Sequence, residues 1–200
     1  MKSSEIIFMK NNFFQNKLFI LIALSTVLLF QTACHDDHNH DEGELITTLQ
    51  YTLIDTIHKD TVIYTFRDLD GEGGNAPELP VTGILKSNQL YLGEIRLLNE
   101  SVNPPEDIGK EVAAENLAHQ FFYLVSGSLN LQVFYADKDD NNQRLGLKTT
   151  VLTGAASKGN LRIILRHNPN KNAPDVNLGN PANAGGETDI DVTFEDLPIL

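Results

Sequence analysis

From Leu45 onward, apolar and polar positions alternate along the chain with period two, the pattern of strands with one buried and one solvated face. Leu45, Leu49, Tyr51 and Leu53 alternate with Thr48, Gln50 and Thr52, and Val62, Tyr64 and Phe66 with Thr61, Thr65 and Arg67. Leu129, Leu131, Val133 and Tyr135 share one face of a third segment, and Leu161, Ile163 and Leu165 share one of a fourth. Ile190, Val192 and Phe194 alternate with Asp189, Asp191, Thr193 and Glu195. Less regular strand candidates cover 82–86, 90–98, 119–126 and 148–153. About nine short strands punctuated by Gly, Asn, Asp and Pro predict antiparallel sheets. The fold class is therefore all-β, a two-sheet antiparallel sandwich of immunoglobulin-like strand spacing.

One short helix is expected near 105–118. Pro104-Pro105-Glu106-Asp107 places proline near its first turn and acids where the helix dipole favours them. The stretch 168–186 is a long connection rich in turn formers, and connections of that length in compact domains are often functional. Val62, Tyr64, Phe66, Leu131, Val133, Tyr135, Leu161, Ile163, Ile190, Val192 and Phe194 are the expected core. Alternation also turns Arg162, Arg166, Asp189 and Asp191 outward, where pairing of their strands would make a cross-strand charge ladder.

The 200 residues carry 15 Lys and Arg against 27 Asp and Glu, a formal net charge of −12. Such a surface repels a phosphate backbone, which excludes nucleic acid as the expected partner. A single Cys rules out an intrachain disulfide framework. The N-terminus sets location. Lys2, Lys10 and Lys17 lead into the apolar run Leu18–Phe30, shorter than the roughly 20 residues a bilayer core demands. It reads as the h-region of a signal peptide, with Met1 and Met9 both candidate starts. Gln31-Thr32-Ala33-Cys34 resembles the lipobox of the lipoprotein signal peptidase, departing from it at Gln31. The expected organisation is a lipoprotein signal peptide at 1–33, a lipidated His/acid-rich tether at 34–44 with the lipid on Cys34, and a β-sandwich domain at 45–200. More than one acyl chain on Cys34 gives stable anchoring to a membrane.

His35, His38 and His40 sit among Asp36, Asp37, Asp41, Glu42 and Glu44. Imidazole and carboxylate together suit zinc-like divalent metals, and a flexible segment can bring three imidazoles to one ion. His35, Asp36, His38, His40, Asp41 and Glu42 are thus candidate ligands, against the reading of a merely solvated linker. Glu111, Glu115 and His119 fall at i, i+4 and i+8 and share one face if the helix reaches that far. Asp68, Asp70, Glu72 and Gly73 copy the first half of an EF-hand loop, but Leu79 stands where its bidentate Glu belongs. A non-EF calcium site at those residues, or at Asp137 and Asp139, is what remains. Enzyme chemistry has no visible foothold: Gly-x-Ser-x-Gly, a phosphate loop and His-Glu-x-x-His are all missing, so the chain is not expected to be an enzyme.

Taken together, the mature chain resembles a family of small outer-membrane lipoproteins of Bacteroidetes-type bacteria. The matching features are the His/acid-rich start after Cys34, Asp68-Leu-Asp70-Gly-Glu72-Gly-Gly, His119-Gln-Phe-Phe, Tyr135-Ala-Asp137-Lys-Asp139 and Gly185-Gly-Glu-Thr-Asp-Ile-Asp191. Members are often labelled as type 1 periplasmic binding folds, which implies two α/β lobes; the period-two pattern here predicts a sandwich instead. The acidic run after Cys34 resembles a surface-export signal, with the periplasmic face of the outer membrane as the competing placement. The expected function is a zinc-like divalent-metal protein, accessory to uptake or sensing beside an outer-membrane transporter. The alternative is a surface module whose sandwich loops hold glycan or protein.

Overall fold

Every alternating segment forms a strand. The computed structural model describes residues 45–71 and 73–200. Cys34, the tether ligands His35, Asp36, His38, His40, Asp41 and Glu42, and also Glu72, lie outside the described residues. The elements are β1 (Thr48–Asp55), β2 (Thr61–Arg67), β3 (Val81–Thr82), β4 (Leu90–Leu98), α1 (Ile108–Ala114), β5 (His119–Gly127), β6 (Leu131–Tyr135), β7 (Lys148–Thr153), β8 (Ser157–His167) and β9 (Glu187–Ile199). Two antiparallel sheets result, one ordered β3-β2-β1-β4-β7-β6 and the other β5-β8-β9. A constant-type immunoglobulin domain divides its strands four and three; here the division is six and three.

The sheets meet through aromatic rings. Tyr51 of β1 lies 5.4 Å from Tyr123 of β5, and Tyr64 of β2 lies 5.4 Å from Phe194 of β9, centroid to centroid. Tyr51, Tyr64, Phe121, Phe194, Leu161 and Ile163 are almost fully buried. Each contributes about 1.5–3 kcal/mol by leaving water. The buried Tyr51 hydroxyl is satisfied by Thr149 Oγ1 at 2.7 Å. Gly93 makes room for that contact, since a Cβ there would stand 2.2 Å from the same oxygen. Phe66, Val133 and Tyr135, expected in the core, are only half-buried. Phe66 lies toward the end of its strand and the other two on an edge strand, so each lacks neighbours on one side.

Two further expectations need correction. The strand candidate 82–86 shortens to Val81–Thr82 because Gly83 turns the chain at φ +82, where a Cβ would lie 2.6 Å from the Thr61 carbonyl. The helix stops at Ala114, short of 118. Ala118 O accepts the Asn168 amide at 2.6 Å, which extends the β5–β8 ladder back and takes the chain out of the helix. The long connection 168–186 carries two 3-10 turns, Val176–Leu178 and Pro181–Asn183. It packs Val176 and Ala184 onto Phe122 and Ile164, covering the outer face of the smaller sheet.

Candidate metal centre

The short helix and the end of the smaller sheet converge. Glu115 caps α1, and Ala118 N–H donates to the Glu115 carbonyl at 2.8 Å, so the chain enters β5 within one turn. His119, the first residue of β5, pairs in register with His167, the last of β8. Both rings point toward the core side, continuing the rows Phe121–Tyr123 and Leu161–Ile163–Leu165. They stack with centroids 4.7 Å apart and an interplanar angle of 8°. His119 is 0% exposed and His167 9%. One ligand atom from each of Glu115, His119 and His167 falls within 4.8 Å of the others.

The chemistry of His119 suits a metal. Its Nδ1 donates to the Glu115 carbonyl at 3.1 Å, which in the neutral ring leaves Nε2 as the basic nitrogen. Metal-bound imidazoles are oriented in this way, by a carbonyl on the second nitrogen. Burial lowers the His119 pKa, with the neighbouring His167 acting in the same direction and the Glu115 carbonyl opposing them. The ring is therefore neutral at pH 7, the form that ligates. Stacking sets one condition. A metal lies in the plane of an imidazole, and two nearly parallel rings offer no common in-plane point, so a shared ion requires one ring to turn.

Asp189 supplies the charge. Its Oδ2 lies 3.9 Å from His119 Nε2, and its side chain is 3% exposed. That oxygen accepts no hydrogen bond among the described residues. Burial pushes the carboxyl up from 3.8 to about 6, with Glu187 adding to the rise and His167 and Arg166 opposing it. The inward turn comes from a β-bulge. Leu165 pairs with Ile190, but Arg166 pairs with Thr188, so Asp189 is the extra residue.

This overturns half of the expected charge ladder. Arg162 Nε donates to Asp191 Oδ1 at 2.7 Å as alternation predicts. Arg166 and Asp189 form no such pair, because the bulge moves Asp189 to the other face. Glu111 is likewise not brought to His119, since the helix ends before the third position of the spacing; His167 completes the cluster instead. Asp68 Oδ1 accepts the Gly71 amide at 2.8 Å, and Asp70 Oδ2 accepts the Asn75 amide at 3.0 Å. Both line a cleft of about 400 Å³ with Ile46, Phe66, Asp189 and Asp191. Asp137 accepts the Gly146 and Lys148 amides at 2.7 and 2.9 Å. Asp139 Oδ2 accepts from Lys171 Nζ at 2.8 Å, so an ammonium lies against this calcium candidate.

No family model, curated protein or solved structure matches the chain.

The sequence pattern names neither His167 nor the neighbouring Asp189 as a ligand, and it places Asp189 in the outward charge ladder. The signal for His167 was present, because it continues the inward row Leu161, Ile163, Leu165. For Asp189 strict alternation pointed the wrong way, and only the bulge corrects it.

Proposed function

We propose that this chain is a lipid-anchored outer-membrane protein whose sandwich binds a zinc-like divalent metal at Glu115, His119 and His167, as an accessory to metal uptake or sensing. The observation that carries this reading is the meeting of two histidines 48 positions apart, at one end of the β5–β8 ladder, with Glu115 and the buried Asp189 beside them. Two imidazoles and a carboxylate are the donor set of many zinc sites. The exposed Glu115 gives the ion an entry side. The His-rich segment 35–44, adjacent to the proposed anchor at Cys34, supports the same reading as a second, weaker set of ligands. Surface display rather than the periplasmic face is favoured by its acidic residues.

Titration calorimetry of the mature chain with Zn²⁺ tests this. Saturable heat at micromolar metal should disappear when His119 and His167 both become Ala, and should survive replacement of His35, His38 and His40. Heat lost only with the tether histidines would move the site out of the sandwich, and no heat with either chain would end the metal reading. Cys34→Ser should abolish palmitate incorporation, and normal labelling of that variant would remove the anchor.

A further inference from the structure

The connections 136–147 and 168–186 enclose a second cleft of about 550 Å³, lined by neither His119 nor His167. That is within the size range of small-molecule sites. In a chain with almost twice as many acids as bases, no carboxylate lines it. Its polar lining is Lys138, Lys171, Arg144 and the carboxamides of Gln143, Asn172 and Asn177, among others. Lys171 is neutralised by Asp139, and Lys138 donates to Asn142 Oδ1 at 2.7 Å. Arg144 differs. Its Cζ sits 4.8 Å over the Tyr135 ring, and it makes no ion pair or side-chain hydrogen bond among the described residues. Tyr135 is in turn fixed by its hydroxyl donating to the Phe121 carbonyl at 2.7 Å. The two connections are tied by Gln143 Nε2 donating to Asn172 Oδ1 at 2.7 Å. The cleft thus presents a pre-positioned, half-buried guanidinium with its donor fork unused.

We infer that this cleft binds a carboxylate-bearing saccharide, its carboxylate on Arg144 and its hydroxyls on the carboxamides. A guanidinium fork matches a planar carboxylate in two parallel hydrogen bonds. Hydroxyls both donate and accept, and so do carboxamides, whereas a bare phosphate uses donors alone and an acidic peptide offers few hydroxyls. Stacking on Tyr135 holds Arg144 ready before the ligand arrives, which lowers the entropy lost on binding. The site is independent of any metal.

Calorimetry of the full-length protein in detergent micelles, with tri-galacturonate as the probe, tests the assignment. We expect saturable binding that weakens at least about tenfold for the methyl-esterified trimer and for Arg144→Gln, the loss of one charge-assisted contact. Arg144→Lys should recover only part of it, because the fork is gone. Arg162→Gln, on an exposed arginine of β8, should change nothing. If Arg144→Gln fails to fold, Asn177→Ala in the same cleft should weaken binding in its place. No heat at millimolar tri-galacturonate, equal affinity for acid and ester, or equal affinity for a tri-glutamate peptide would each overturn the proposal. The last of these would assign the cleft to an acidic peptide instead.

Discussion

The β8–β9 pair contains two arginines four residues apart and two aspartates two residues apart, and the halves of the pair use them in opposite ways. In the regular half, Leu161, Ile163 and Leu165 face Phe194, Val192 and Ile190, and Arg162 meets Asp191 outside. Beyond Leu165 one extra residue enters β9. Without it, Asp189 would lie opposite Arg166 on the outer face, and a second ion pair would form. With it, Asp189 enters the space beside His119, while Arg166 Nε is left with no hydrogen bond among the described residues. Between Leu161 and Leu165 the register is unbroken and the stretch builds stability, the pair's other shift lying before it, between Gly159 and Leu161. The bulged end breaks a local rule, with the buried atoms Asp189 Oδ2 and Arg166 Nε making no hydrogen bond among the described residues. Local rules are broken where function requires it, and the bulged end is where the candidate ligands gather.

The largest expected effect belongs to the regular half. Phe194 is 2% exposed and packs on Tyr64, so Phe194→Ala removes a ring from between the sheets. It should cost roughly 3–5 kcal/mol in denaturant unfolding, a large share of a domain's stability. Thr193→Ala, on the other face of the same strand, should cost far less. Equal losses at the two positions would mean that the inner and outer faces are not distinguished as described.

What was legible in the sequence follows the same division. Alternation reads a strand correctly as long as its register is unbroken, which is why Val62, Tyr64, Leu161, Ile163, Val192 and Phe194 lie where they are expected. It fails at Asp189 because a bulge shifts parity by one and leaves no mark in the hydrophobic pattern. The helix end was misread for a related reason. Val112-Ala-Ala-Glu-Asn-Leu-Ala118 favours helix locally, but the bond from the Asn168 amide to Ala118 O is a long-range fact. The approach of Arg144 to Tyr135 depends likewise on how loops pack. The acidic turns at Asp68 and Asp137 are visible as residues, and nearby backbone amides donate to one oxygen of Asp68 and to both of Asp137.

The next effect separates the two aspartates by pH. Burial raises Asp189 from 3.8 to about 6, so the folded chain holds this proton more tightly than the unfolded one. The stability that this group contributes is then complete below about pH 4 and is lost as pH rises through about 6. The full rise corresponds to at most about 3 kcal/mol, and less where the cleft admits water. In metal-free protein, Asp189→Asn should therefore stabilise the fold at pH 7 by about 1–3 kcal/mol, a gain that vanishes by pH 4. His119 acts in the opposite sense: its lowered pKa gives stability that is present above 6.5 and lost as pH falls. Chemical denaturation from pH 4 to 7.5 checks both signs. A gain that persists unchanged at pH 4 would show that Asp189 is not the titrating group.

The smallest effect is expected where the ladder formed as alternation predicts. Arg162 and Asp191 are 47% and 36% exposed, and their contact is bidentate. Exposed pairs of this kind are screened by water and salt and contribute about 0.2–1 kcal/mol. Arg162→Ala, Asp191→Ala and the double variant, compared in a thermodynamic cycle, should give a coupling in that range that shrinks in molar salt. Replacing Asp191 should leave zinc binding intact, whereas Asp189→Asn should weaken it, since only the bulged carboxylate lies beside His119. A loss of metal at Asp191 equal to that at Asp189 would erase the distinction between the two ends of the strand pair. The bulge would then be a packing irregularity with no bearing on the ligands.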